Sequence, residues 1–111
     1  MEVAFATRKL EKLCNSQKSM RGDLGPRCAA RLGQRLAELG AAITLEDMQL
    51  LPGARCHELT GDRKGQLAVD LVHPLRLVFE PDHDPRPEKA DGGLDWSEVT
   101  KVVIVEILDY H

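Results

Sequence analysis

Aromatic side chains are scarce in this 111-residue chain: one Trp, one Tyr and two Phe make up 4% of it. So few rings argue against a surface that grips single-stranded nucleic acid mainly by stacking, because such surfaces set an aromatic face under successive bases. Cysteine is scarce as well. Cys14, Cys28 and Cys56 are odd in number, and no two stand at metal-finger spacing. A disulfide framework and a structural zinc site are therefore not expected, and small core thiols in a reducing compartment are. No apolar run approaches the roughly 20 residues of a membrane-spanning helix. The opening MEVAFATRKL is charged too soon for a secretory signal, so a cytoplasmic protein without membrane contact is expected. Also missing are a glycine-rich phosphate loop followed by Lys-Ser/Thr, an HExxH pair and a Cys-x-x-Cys pair, whose fixed spacings build nucleotide, zinc and redox sites. His73, Asp82, His83 and Asp84 are ligand types, but most of them fall in a stretch with no regular frame. Neither metal nor cofactor is expected there.

What is present is ordinary in amount and unusual in arrangement. Hydrophobic residues at 42% and charged residues at 30% suit one globular domain over 1–111 with a single modest core. The net charge of −3 conceals a division. From Arg8 to Arg35 eight basic residues face two acidic ones, a surplus of six. From Phe79 onward nine acidic residues face three basic ones, a deficit of the same size. Screening over a Debye length lets a basic half hold a polyanion despite an acidic total, although a merely solvated helix face gives the same pattern.

The hydrophobic period changes once along the chain. Val3 and Phe5 alternate as a short strand. Thr7 caps a helix with Leu10, Leu13 and Cys14 on one face, and the stretch Arg21–Pro26 is expected to break it. Pro26 then opens a second helix with Ala29, Leu32, Leu36 and Leu39 inward and Arg27, Arg31 and Arg35 on another face. Thr44 with Asp47 makes a capping-box pattern for one short turn that Pro52-Gly53 ends. Beyond residue 54 the period becomes two. Arg55–Leu59 reads as a strand, Gly61–Gly65 as a turn, and Leu67, Val69 and Leu71 as the buried side of a strand with one solvated face. After His73-Pro74, Leu75, Leu77 and Phe79 point inward while Arg76 and Val78 point outward. An acidic loop without periodicity covers about residues 81–98, with Trp96 as its anchor to the core, and Val102–Leu108 is a last, buried strand. A strand, then helices, then consecutive strands predicts an α+β fold of two layers: an N-terminal strand and helices packed on a mainly antiparallel sheet whose other face stays open.

Histidine, arginine, tyrosine and aspartate are the residues of metal-free phosphodiester cleavage, which deprotonates a 2′-OH, protonates the leaving 5′-oxygen and stabilises charge on phosphorus. His57 is placed on the first strand of the meander with Arg55 and Leu59, Arg76 lies two strands later, and Tyr110 and His111 end the last strand. Each has a plainer reading. His57 is a solvated polar residue at a strand edge, Arg76 a cross-strand partner of Asp70, and Tyr110 and His111 a frayed end.

The segment HELTGDRKGQLAVDLVHPLRLVFEP, His57 to Pro81, resembles the central signature of HigB-type toxins within the RelE/ParE superfamily. A histidine precedes a Gly-Asp turn, two strands follow, and an Arg-Leu pair leads into an aromatic strand. The terminal Asp109-Tyr110-His111 is similar to that family's closing acid–Tyr–His. The likeness covers nearly the whole chain outside about 82–96. It implies a RelE-like fold and a ribosome-dependent endoribonuclease, the toxin of a type II toxin–antitoxin system, which cuts mRNA in the ribosomal A site. Its partners would be the ribosome, mRNA and a cognate helix-turn-helix antitoxin. The resemblance makes His57, Asp109, Tyr110 and His111 the catalytic cluster and Arg76 the phosphate holder. Arg63 and Lys64 in the turn, and Arg27, Arg31 and Arg35 on the helix, would meet ribosomal RNA phosphates. Two further readings stay open: a non-catalytic ParE-like poison of a protein such as DNA gyrase, and an inactive homologue that serves in antitoxin complexes. The sequence departs from the family in its acidic balance, with a pI near 5.8, and in its longer acidic loop. Carboxylates of that loop would repel RNA if they lay across the sheet face.

Overall fold

The change of period near residue 54 divides the helical layer from four of the five strands of an α+β fold. The computed structural model describes residues 1–110. Strand β1 (Glu2–Phe5) leads into helix α1 (Arg8–Cys14) and helix α2 (Gln17–Ala41). Short 3-10 turns then lead to β2 (His57–Glu58), β3 (Leu67–Asp70), β4 (Leu75–Pro81) and β5 (Lys101–Asp109). The five strands form one sheet in the order β1-β5-β4-β3-β2. β1 runs parallel to β5, and every other pairing is antiparallel.

Local chemistry accounts for the helix ends. Thr7 Oγ1 accepts from the Leu10 N–H at 3.1 Å and starts α1. The chain breaks next at Asn15-Ser16, where Ser16 Oγ accepts from the Ser19 N–H at 3.2 Å and caps α2. The break expected at Arg21–Pro26 is instead a kink within α2, centred on Gly25 at φ 79° and ψ 163°. A serine with a free backbone N–H three residues ahead was the missed signal. Glycine takes that left-handed φ at little cost, and Pro26, lacking an N–H, fits where a helix restarts. After α2, the Asp47 carboxylate accepts from the Ile43 and Thr44 N–H groups at 2.8 and 3.5 Å, as the capping pattern anticipates.

The inner face of the sheet carries the core. Leu32, Leu39, Leu45, Met48, Leu67, Val69, Leu77, Phe79, Val102 and Ile104 are fully buried between helices and sheet. Leu36, expected to point inward with them, is only half-buried at the margin of this core. Leu39→Ala should therefore destabilise by about 2–5 kcal/mol, and Leu36→Ala by clearly less. Urea melts of the two variants side by side check this, and equal midpoints would refute the packing difference.

The outer face is not open throughout, as the sequence suggested. Leu59, Ala68 and Val78 are buried there beneath Val105, Leu108 and Tyr110, a small second apolar cluster. A β-bulge explains how β5 serves both faces. Phe79 pairs with Ile104 but Val78 pairs with Glu106, so Val105 is an extra residue. Strict alternation from Val102 and Ile104 would have sent Leu108 and Tyr110 toward the helices. The bulge shifts the parity, so Ile107 joins the inner core while Leu108 and Tyr110 turn outward.

The three thiols are free. Burial, and then the nearby Glu58 charge, push the Cys56 thiol from its ordinary 9.0 up to about 12. Its protonated form is thus favoured by folding: that contribution is whole below about pH 9 and is lost as pH rises toward 12. Native Cys56 should resist iodoacetamide at pH 8 and react once unfolded, because only the thiolate attacks. Mass spectrometry of alkylated peptides with and without urea reads this, and rapid native labelling of Cys56 would contradict it.

Candidate functional site on the outer sheet face

Register decides which of the expected residues meet. His57, Ala68, Val78 and Glu106 stand opposite one another across four strands, and Asp70, Arg76 and Leu108 form the next row on that face. Tyr110 follows two residues after Leu108. Its N–H donates to the Pro74 carbonyl at 2.8 Å, which extends the β4–β5 ladder and secures an end otherwise expected to fray. The Arg76 guanidinium lies over the Tyr110 ring, 4.2 Å from its centroid, a cation–π contact that stiffens both side chains.

Asp70 completes this cluster. Its Oδ1 is 3.5 Å from Arg76 Nε, the cross-strand pair anticipated from sequence, and its Oδ2 is 3.5 Å from Arg55 Nη1. These groups line a cleft of about 160 Å³ together with Leu71, His73, Pro74, Leu75 and Tyr110. Arg55 reaches it from an unusual backbone. Only His57–Glu58 pair as a strand, and Arg55 sits in the left-handed region at φ 48°. The expected strand over Arg55–Leu59 is therefore shorter, and Arg55 does not follow the alternation of His57 and Leu59. That conformation disfavours non-glycine residues, which makes it a feature to explain rather than a default.

Other expected members are placed apart. His57 is half-buried on the correct face, but two strands and one row from Arg76, about 12 Å between Cα positions at ordinary strand spacings. Its Nδ1 lies 2.7 Å from the Arg55 carbonyl. A carbonyl only accepts, so Nδ1 carries the proton there and Nε2 is the atom left to accept one. Asp109 pairs with Leu75, whose side chain belongs to the inner face, so alternation directs Asp109 away from Tyr110 and Arg76. His111 lies outside the described residues.

The basic residues also divide. Arg35 is 3% exposed and does not face solvent with Arg27 and Arg31. Its Nε donates to the Asp70 carbonyl at 2.8 Å, Nη1 to Glu38 at 2.9 Å and Nη2 to the Gly53 carbonyl at 2.8 Å. The expected RNA contact is thus a structural tie between α2, β3 and the Pro52–Ala54 turn. Repetition every fourth residue drifts around a helix of 3.6 residues per turn, which carries the third arginine inward. Arg27 is exposed and Arg31 half-buried, and with Arg8, Lys9, Lys12, Lys18 and Arg21 they make no ion pair among the described residues. Lys64 is exposed, whereas Arg63 bonds Gln66 at 2.9 Å and pairs with Glu106 on the outer face.

The acidic loop stands clear of the cleft. It leaves β4 at Pro81, five residues and roughly 17 Å of strand from Arg76. It is also tied down. His83 Nε2 accepts from the Thr100 and Lys101 N–H groups at 3.1 and 3.3 Å, Glu88 bridges Leu94, and Trp96 Nε1 donates to Glu58 at 3.0 Å. Arg86 donates to the Gly65 carbonyl and packs where a side chain at Gly65 would sit. No helix among the described residues is long and apolar enough to cross a membrane, and no cluster of three or more His, Cys, Asp or Glu stands ready for a metal. A scan against protein-family models and a search of curated proteins match nothing to this chain.

Proposed function

We propose that the chain is the toxin of a type II toxin–antitoxin system, related to the HigB branch of the RelE/ParE superfamily. It acts in the cytoplasm as a metal-independent, ribosome-dependent endoribonuclease. The observation that carries this reading is the pairing of Arg76 with Tyr110 on the outer sheet face, 4.2 Å apart and beside an arginine-lined cleft. In the proposed reaction the 2′-oxygen of a ribose attacks the adjacent phosphorus and the P–O5′ bond breaks. The products are a 2′,3′-cyclic phosphate and a free 5′-hydroxyl. One group accepts the 2′-OH proton and another donates a proton to O5′. Imidazole is the side chain whose ordinary pKa lies nearest cellular pH, so His57, through Nε2, and His111 take these two roles.

Arg76 would neutralise the charge on the pentacoordinate phosphorus, and Tyr110 would hydrogen-bond the phosphate or stack on a base. A phosphodiester strand spanning the outer face from His57 to Arg76 is what would bring both to one substrate. The unpaired cations of α1 and α2, with Arg27 and Arg31 among them, and Lys64 in the turn would hold ribosomal RNA phosphates. A cognate helix-turn-helix antitoxin would silence the protein. The separation of His57 from Arg76 favours a second reading, a ParE-like poison that binds a protein target such as DNA gyrase without cutting RNA.

Induced expression in a host lacking the antitoxin, with primer extension on a translated reporter, separates the readings. Cuts that require translation and disappear in His57→Ala and His111→Ala are expected. Growth arrest without cuts would transfer the proposal to the poison, and neither arrest nor cuts from folded protein would leave an inactive homologue.

A further inference from the structure

The arginines that reach Asp70 are of two kinds. Arg35 spends Nε, Nη1 and Nη2 on three acceptors at 2.8–2.9 Å, the range of well-made charge-assisted bonds. The guanidinium groups of Arg55 and Arg76 make no hydrogen bond among the described residues, only ion pairs of 3.5 Å with opposite oxygens of one carboxylate. Asp70 Oδ1 is itself buried with no hydrogen-bond partner among the described residues. Two guanidinium groups thus converge on a single, poorly bonded anion, with most of their N–H groups unspent and the left-handed backbone of Arg55 aiming one of them there.

The geometry points to a two-arginine phosphate clamp, Arg55 with Arg76, in which Asp70 is an internal counter-ion that a ligand phosphate displaces. The cleft of about 160 Å³ has room for about five water molecules, space enough for a tetrahedral oxyanion. Phosphate oxygens match the planar fork of each guanidinium better than one carboxylate shared at 3.5 Å between two. Arg55, 65% exposed, is free to close on the ligand, and Tyr110 holds Arg76 in place from the other side. The two cations exceed Asp70 by one charge, so the pocket still attracts an anion before Asp70 yields. This deepens the ribonuclease reading and rests on it for the ligand class, a phosphodiester of single-stranded RNA. It adds Arg55 as a phosphate-binding residue and Asp70 as the competitor that sets the affinity.

The test is a titration of the full chain with inorganic phosphate, followed by NMR of the arginine Nε–H signals at fixed ionic strength. Arg55 and Arg76 should shift saturably while Arg35 stays still. Asp70→Asn should tighten phosphate binding about fivefold or more, because a like charge about 4 Å from the ligand is removed. Arg55→Gln should weaken it at least about tenfold. A merely structural Asp70 would move affinity the other way or not at all. Shifts that do not saturate, or that are as large at Arg35, would overturn the clamp, as would unchanged affinity in folded Asp70→Asn. If Asp70→Asn melts early, Arg55→Gln on its exposed side chain decides by itself. The titration needs neither ribosome nor cleavage. Phosphate binding through this pair without mRNA cutting sinks the ribonuclease reading alone, and cutting without an Arg55 response sinks the clamp alone.

Discussion

Arg35→Ala should cost about 3–5 kcal/mol of stability, the largest loss expected from any single polar substitution in this chain. The side chain is 3% exposed and bonds three acceptors from three elements. Truncation strands them unequally. The Gly53 carbonyl belongs to an exposed residue and recovers a partner from water. The Asp70 carbonyl and the half-buried Glu38 recover less, and loss of the Arg35 methylene stem leaves a void. Arg35→Met keeps the stem and should recover part of the loss, which separates packing from hydrogen bonding. Arg27→Ala, on an exposed side chain with no ion pair among the described residues, should lie within about 0.5 kcal/mol of the parent. Thermal melting reads all three, with a fall on the order of 15 °C for Arg35→Ala. Parental melting of that variant would mean that its charge faces solvent after all, and would return it to the set of RNA-contacting cations.

The same residue shows where reading the sequence stops. Leucine spacing made the second helix and its buried stripe legible, because apolar burial follows period. Arginine obeys no such rule. Whether Arg27, Arg31 or Arg35 turns inward depends on which carbonyls the sheet and the Pro52–Ala54 turn present, and those come from distant parts of the chain. The order of elements, the sheet faces of Arg76 and Val78, and the anchor at Trp96 were likewise within reach of pattern. Three features were not. Ser16 caps α2 through an Oγ that an extended backbone at that residue aims at the Ser19 N–H, and the extra residue at Val105 is visible only in pairing register. The third, the left-handed Arg55, gives no compositional sign. The bulge matters most for the site. Alternation alone turns Tyr110 toward the helices, and the one-residue shift sets it beside Arg76 instead. Asp109, adjacent in sequence to Tyr110, is thereby sent to the opposite face.

Arg76→Gln should lower translation-dependent mRNA cleavage about 100- to 1,000-fold while leaving the melt nearly unchanged. Both halves of that expectation come from the geometry. Arg76 is one-quarter exposed, and its ion pair with Asp70 is 3.5 Å long without a hydrogen bond. A pair of that kind contributes at most about 1 kcal/mol to folding. In the proposed reaction, however, its guanidinium meets charge that grows on the phosphate only as the transition state forms. Its loss should therefore fall more heavily on the cleavage rate than on binding of the message, to which the other cations also contribute. Arg76→Lys tests the fork itself: it keeps the charge and loses the planar, two-point grip, so it should restore only part of the rate. Tyr110→Phe keeps the ring beneath Arg76 and removes the hydroxyl, whereas Tyr110→Leu removes the ring as well. If Tyr110 serves mainly to hold Arg76, the first should stay active and the second should resemble Arg76→Gln. If its hydroxyl touches the phosphate, both should fail. Should Arg76→Gln arrest growth as the parent does at equal expression, the guanidinium has no part in the toxic act. Growth arrest would then have to arise on another surface, and the unpaired cations of α1 and α2 are the first place to look for it.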